Sequence, residues 1–193
     1  MRPTVEQAIF SAIAEYAIAY ARLEAIQRKR PNDLPRGDQK TGVIAEFFAR
    51  IFSRTRFPKA TLEFGTTSEH AWDLRVIRSN IVPLHIQVKA VSAHADIRGI
   101  SPLHPGWNEL WLMRLDKSLS PEGFWCFRKN EVSWSHKTIK SSTMPRRTKP
   151  KTGSAIYREA RDKLPELLRA LKTVSINSLK HARRLRTAFT PPP

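Results

Sequence analysis

Cysteine and acidic residues are scarce in this chain of 193 residues, and each shortage excludes a class of protein. The single cysteine, Cys126, allows neither an internal disulfide nor a pair of thiolate zinc ligands. A secreted, disulfide-linked scaffold is therefore excluded, and we expect a reducing compartment, the cytoplasm. Asp and Glu number 17 against 34 Lys and Arg, a formal net charge of +17. A surface with that excess attracts polyanions, and nucleic acid is the expected partner.

Long hydrophobic runs and several well-known catalytic motifs are also missing. Charged residues, among them Glu6, Glu15 and Arg22, interrupt the apolar stretch 5–26, so no segment is predicted to span or bind a membrane. There is no P-loop, no GxGxxG motif and no GxSxG nucleophile elbow. Four central histidines fit no zinc-ligand spacing, and we interpret them as surface or core residues: His70, His85, His94 and His104.

The hydrophobic pattern changes along the chain from helical spacing to short strand-like runs. Thr4 and Gln7 have the form of a capping box, and the apolar residues that follow predict a first helix. A second helix is predicted from about Thr41 to Phe52, and a last one after Ser154, with Pro165 as a kink or restart. Between them, the runs TLEFG, WDLRVIRS, VPLHIQVKAVS, ELWLMRLD and FWCFRK predict four or five strands. This order predicts an α/β (α+β) sandwich.

We expect one domain over residues 1–193, which is an ordinary length for a single core. Its predicted parts are an N-terminal helix (1–30), a catalytic core (40–135), a basic loop (136–153), and a C-terminal helix with a basic tail (154–193). The basic loop holds six Lys or Arg and no acid. Six basic residues are predicted to contact phosphates, although a solvated basic loop is the alternative: Arg36, Lys40, Arg146, Arg147, Lys149 and Lys151.

Polar residues interrupt the most β-branched part of the sequence, 72–90. Side chains alternate across a strand, so Gln87 and Lys89 share one face while Val88 points to the other. Asp73 can join them from the neighbouring strand, and Glu46 from the preceding helix. Carboxylate, amide and backbone carbonyl oxygens are the ligands that Mg2+ or Mn2+ prefers. We predict such a site from Asp73, Glu46, the Gln87 amide oxygen and the Val88 carbonyl, with Lys89 positioning the attacking water or stabilising negative charge.

Each of these residues also has an ordinary structural interpretation. Asp73 can be a strand-end acid paired with Arg75 or Arg78. Gln87 and Lys89 can belong to the solvated face of an edge strand. Three such residues together with a helical glutamate favour the metal site.

Asp73 in AWDLRVI, Gln87-Val88-Lys89 in LHIQVKAVS and Glu46 in GVIAEFFARIF resemble the motif of the PD-(D/E)XK phosphodiesterase superfamily. That superfamily includes restriction-type endonucleases, Holliday-junction resolvases and Mrr-like nucleases. The resemblance covers roughly residues 40 to 92. It implies a restriction-endonuclease-like core, a mixed central sheet of four to five strands flanked by helices, and catalytic roles for these four side chains. Gln87 stands where a second acid is usual, and Trp72 replaces the proline before Asp73.

The predicted function is a Mg2+-dependent DNA endonuclease, with a restriction or defence role as the first expectation. One site cuts one strand, so double-strand cleavage predicts a homodimer. Two alternatives stay open. One is a non-catalytic nucleic-acid-binding protein with a degenerate nuclease fold, and the other is an RNA-directed nuclease or RNA-binding protein.

Overall fold

A mixed β-sheet with its strands in chain order forms the centre of the protein, whose computed structural model describes residues 4–29, 40–65, 71–94, 100, 103–130 and 161–174. Neighbouring strands are antiparallel, except for the parallel third and fourth. This architecture confirms the predicted fold class, with a very short sixth strand added. The strands are β1 (Thr61–Phe64), β2 (Leu74–Arg78), β3 (Ile81–Ser92), β4 (Glu109–Leu115), β5 (Pro121–Arg128) and β6 (Arg161–Asp162).

Three helices are described: α1 (Val5–Lys29), α2 (Thr41–Arg56) and α3 (164–174). The predicted capping box begins α1, because Thr4 N donates to Gln7 Oε1 at 2.9 Å and Gln7 N donates to Thr4 Oγ1 at 3.2 Å. None of the helices in these residue ranges is long and apolar enough to cross a membrane.

The last helix begins later than the predicted start at Ser154. Residues 161 and 162 are extended and pair with Cys126 and Trp125 of β5. The Asp162 carboxylate then caps α3, accepting the Leu164 N–H at 2.9 Å. Pro165 lies in the first turn, where its missing N–H is not needed, so it starts the helix without kinking it. Residues 154–160 of the predicted helix lie outside the described residues.

The two faces of the sheet carry separate apolar cores. All three helices pack on one face, here called the helix face, and the segment leading into β4 covers the other, here called the opposite face. Alternate strand residues supply the two cores, as the period of two requires. The helix-face core includes Ala17, Ile44, Phe48, Phe52, Val76, Val88, Trp111, Phe124 and Leu167, and the opposite-face core includes Ile100, Trp107, Leu110, Leu112, Trp125 and Phe127.

A buried ion pair joins the C-terminal end of α2 to the start of β4. The Arg56 guanidinium donates to both Glu109 oxygens, at 2.7 and 2.9 Å, and Trp111 Nε1 donates to the same carboxylate at 2.8 Å. Glu109 is buried, so this satisfied network determines where the C-terminal end of α2 lies. Glu46 is ten residues earlier on α2, about 15 Å away at the helical rise of ~1.5 Å per residue.

Candidate functional site

Asp73 immediately precedes β2 and is tied to both neighbouring strands. Its N–H donates to Ile86 O at 2.9 Å, and its carbonyl accepts the Gly65 N–H at 3.0 Å. Its carboxylate Oδ2 accepts the Val88 N–H at 2.6 Å. The side chain therefore takes the place that a backbone carbonyl would occupy if β2 continued. Of the two alternative partners of Asp73, Arg75 pairs with Glu63 at 3.4 Å and Arg78 lies over the Phe57 ring, and neither forms an ion pair with Asp73.

The direction of the β3 backbone identifies which groups face Asp73. His85 exchanges hydrogen bonds with Asn108 on the β4 side, both at 2.8 Å. Ile86 O and Val88 N point the other way, to Asp73. The N–H and C=O of one strand residue point to the same side of the strand. The Val88 carbonyl oxygen therefore also faces the β2 side, beyond the last β2–β3 pair, Leu74 with Ile86.

Gln87 and Lys89 lie on either side of Val88 and share the opposite face. Val88 and Ala90 pack in the helix-face core, so alternation directs Gln87 and Lys89 away from the helices. β3 lies between β2 and β4 in the sheet, but Gln87 and Lys89 lie beyond its last pair with β2 and are paired only with β4. Gln87 is 1% exposed, whereas Lys89 is half-buried.

Glu46 extends from α2 toward the same end of β2. Burial, together with the negative charge of Asp73, raises the pKa of its carboxyl from 4.5 to about 7, and the positive charge of Lys89 opposes both effects. These three side chains are therefore electrostatically coupled, although Glu46 comes from the helix face and Lys89 from the opposite face. Their charges act on one another near the start of β2.

The pKa of Asp73 is also raised, chiefly by burial. The hydrogen bond from Val88 lowers it, as do the charges of Lys89 and His104. His104 is one of the four histidines that the sequence assigns to an ordinary surface or core position, so the sequence prediction missed this neighbour of Asp73. It is exposed, in the loop before β4.

The loop that carries His104 is held against the segment before Asp73. Gly106 has a φ of +115°, and a Cβ placed there would lie 2.7 Å from Ala71 Cβ, so this close approach requires glycine. The adjacent Trp107 is buried in the opposite-face core and anchors the loop. No local sequence pattern signals this contact, since it depends on the fold.

An aromatic pair adjoins the site. The Trp72 and His85 rings are stacked, with centroids 5.3 Å apart and planes 9° from parallel. Trp72 precedes Asp73 and His85 is two residues before Gln87, so this stack joins the two segments that supply the candidate ligands.

The donor set suits a hard divalent cation. Among the residues that the structure describes, no three His, Cys, Asp or Glu side chains form a group able to hold a metal by themselves. Glu46 and Asp73 supply two carboxylates, and Gln87 and the Val88 carbonyl supply neutral oxygens, all of the type that Mg2+ and Mn2+ bind. Burial and repulsion from Asp73 together raise the pKa of Glu46, and a cation near both carboxylates would offset the repulsion. Metal binding by this set stays a prediction.

One of the six predicted phosphate contacts lies in the described part of the chain. Lys40 is exposed and directly precedes α2, six residues before Glu46. The other five lie outside the described residues: Arg36, Arg146, Arg147, Lys149 and Lys151.

Comparison with known proteins finds distant likeness in structure and none in sequence. No family model matches the sequence, and no curated protein matches it. Among solved structures, a bacterial homing endonuclease, I-Ssp6803I, aligns at 12% sequence identity with a TM-score of 0.43, over 72% of this chain and 99% of that one. The assignment of a function therefore rests on the geometry at the start of β2.

Proposed function

We propose that this protein is a metal-dependent DNA endonuclease that hydrolyses phosphodiester bonds at Glu46, Asp73, Gln87 and Lys89. The supporting observation is the 2.6 Å hydrogen bond from the Val88 N–H to the Asp73 carboxylate. It holds the Asp73 carboxylate on the side of β3 that the Val88 carbonyl also faces. Val88 is the middle residue of the QxK motif, between Gln87 and Lys89. This arrangement supports the resemblance to the PD-(D/E)XK superfamily, which we include in the proposal.

The proposed roles follow from the chemistry of each group. Asp73, Glu46, the Gln87 amide oxygen and the Val88 carbonyl would hold Mg2+ or Mn2+. Such an ion, when bound, polarises a phosphoryl oxygen and lowers the pKa of a bound water. The Val88 N–H keeps the Asp73 carboxylate oriented. Lys89, coupled to both carboxylates, stabilises the negative charge that develops on the phosphate or positions the attacking water.

DNA is the proposed substrate because the formal charge of +17 favours a polyanion. A cytoplasmic restriction or defence role and a homodimer for double-strand cleavage are further parts of the proposal. Competition between duplex DNA and structured RNA at fixed salt distinguishes the RNA alternative, because salt governs the affinity of so basic a protein for either polymer.

The test is nicking of supercoiled plasmid in Mg2+ or Mn2+. We expect wild-type protein to nick and Lys89→Ala to lose at least ~100-fold in rate while still binding DNA. Asp73→Asn should lose activity and bind Mn2+ more weakly. The matched control is Lys117→Ala, which removes an exposed lysine from the β4–β5 turn and should leave the rate unchanged. Binding without nicking in either metal would establish the non-catalytic alternative.

A further inference from the structure

Three arginines lie over phenylalanine rings on the β1 side of α2. The Arg50 guanidinium carbon is 4.6 Å from the centre of the Phe64 ring. Arg56 and Arg78 lie 4.9 and 5.6 Å from the centre of the Phe57 ring. Contact with an aromatic ring attracts a guanidinium and restricts its motion. These side chains are therefore held in defined positions before any ligand arrives.

The three arginines differ in what neutralises them. Arg56 donates both of its terminal nitrogens to the buried Glu109 carboxylate, which explains it as a structural residue. Arg50 and Arg78 form no ion pair with any carboxylate in the described part of the chain, and their Nε atoms are buried there without a hydrogen-bond partner. Their remaining N–H groups thus carry an uncompensated positive charge that the rings hold in place.

Arg50 lies next to the candidate metal site. It follows Glu46 by four residues on α2, which places both on the same side of that helix. Its ring partner, Phe64, pairs with Leu74, the residue after Asp73. The next residue, Gly65, donates its N–H to Asp73 O at 3.0 Å.

Arg78 lies further from the candidate metal site, at the far end of β2. It is four residues along β2 from Leu74, about 14 Å at the antiparallel rise of ~3.4 Å per residue. β1 is an edge strand of the sheet, and Arg50 lies over its last residue, Phe64. Arg50 lies over Phe64 and Arg78 over Phe57, so each guanidinium can meet a different phosphate of one backbone.

We propose that Arg50 and Arg78 form an arginine track that binds the sugar-phosphate backbone of nucleic acid and delivers it to the site at Asp73. Each guanidinium fork can donate two parallel hydrogen bonds to one phosphate. Because Phe64 and Phe57 already restrict the two side chains, less freedom is lost on binding. This proposal rests on the proposed nuclease function only for the cleavage of the nucleic-acid backbone at Asp73. The track itself binds phosphate without metal.

The test measures duplex DNA binding by fluorescence anisotropy over a range of salt concentrations in EDTA, so that no cleavage occurs. The slope of log affinity against log salt is negative, and Arg50→Gln and Arg78→Gln should each reduce its magnitude by roughly 1, and the double variant by roughly 2. Arg54→Gln is the matched control. It removes the same charge one helical turn further on, from a half-exposed guanidinium that lies 3.4 Å from Glu6. Its slope should stay at the wild-type value.

Equal slopes for Arg54→Gln and Arg50→Gln, or no change in either track variant, would overturn the track. Arg50→Lys keeps the charge without the fork, and should keep the slope while weakening binding several-fold. It also replaces Arg50→Gln if circular dichroism shows that variant to be unfolded. The two proposals fail separately: reduced slopes without plasmid nicking leave a phosphate-binding track, whereas nicking with unchanged slopes and KM removes the track alone.

Discussion

The raised pKa of Glu46 predicts a measurable pH dependence of stability in metal-free protein. Its carboxyl has a folded-state pKa of about 7 against an ordinary value of 4.5, so the folded protein binds this proton more tightly than the unfolded chain does. Stability from this group is therefore greatest below pH 4.5, falls as pH rises to about 7, and is constant above that. At about 1.4 kcal/mol per pKa unit the upper limit is about 3.5 kcal/mol. Glu46 is only half-buried, and solvent screening reduces this to about 1–2 kcal/mol.

The assay is urea unfolding in EDTA from about pH 4.5 to pH 8, with wild type compared with Glu46→Gln. The variant cannot ionise at this position, so it should match wild type near pH 4.5 and become more stable by about 1–2 kcal/mol at pH 8. Glu15→Gln, on the exposed face of α1, measures the general effect of removing one negative charge from a very basic protein. Parallel pH profiles for wild type and Glu46→Gln would refute a buried carboxyl facing Asp73.

Two further predictions concern how the site is held. Arg56→Met should destabilise the protein by about 3 kcal/mol in urea unfolding, because the buried Glu109 carboxylate loses its charged partner and keeps only the Trp111 N–H. Adding Glu109→Gln should recover part of that loss, and strictly additive losses would contradict a coupled pair. Gly106→Ala should lower stability by about 1–3 kcal/mol in thermal melts, through its positive φ and its contact with Ala71. Ala71→Gly should restore only the steric part of that loss, and a full restoration would contradict the strained backbone.

Local sequence patterns were sufficient for the secondary structure of the core. β4 and β5 are short apolar, aromatic runs in the sequence, and both are buried strands in the structure. The capping box at Thr4 predicted the start of α1, because its two hydrogen bonds join residues three apart. The predicted start of α3 was wrong for the opposite reason: residues 161–162 are extended because they pair with β5, about 35 positions earlier in the chain. Pairing of that kind leaves no local pattern.

The candidate site likewise has features that local sequence patterns predict and features that depend on the fold. The shared face of Gln87 and Lys89 follows from alternation and could be predicted. The hydrogen bond from Val88 to Asp73 depends on where β2 stops against β3, a matter of register that single residues do not encode. The charge of His104 acts on Asp73 from a loop that packs against Ala71 at Gly106, a contact between distant parts of the sequence. Likewise, the Arg50–Phe64 contact joins a helix to an edge strand.

Under the proposed PD-(D/E)XK assignment, an amide at position 87, where that motif has a second acid, has a physical rationale. Gln87 is 1% exposed, and the carboxyls of Glu46 and Asp73, its proposed co-ligands, already have raised pKa values, chiefly because of burial. A third carboxylate here would add a further desolvation penalty and further repulsion, whereas an amide offers a ligand oxygen without charge. Two carboxylates, the Lys89 ammonium and one divalent cation would then leave a single net positive charge. That balance attracts a phosphodiester anion, so the amide is compatible with a site that binds and hydrolyses the DNA backbone.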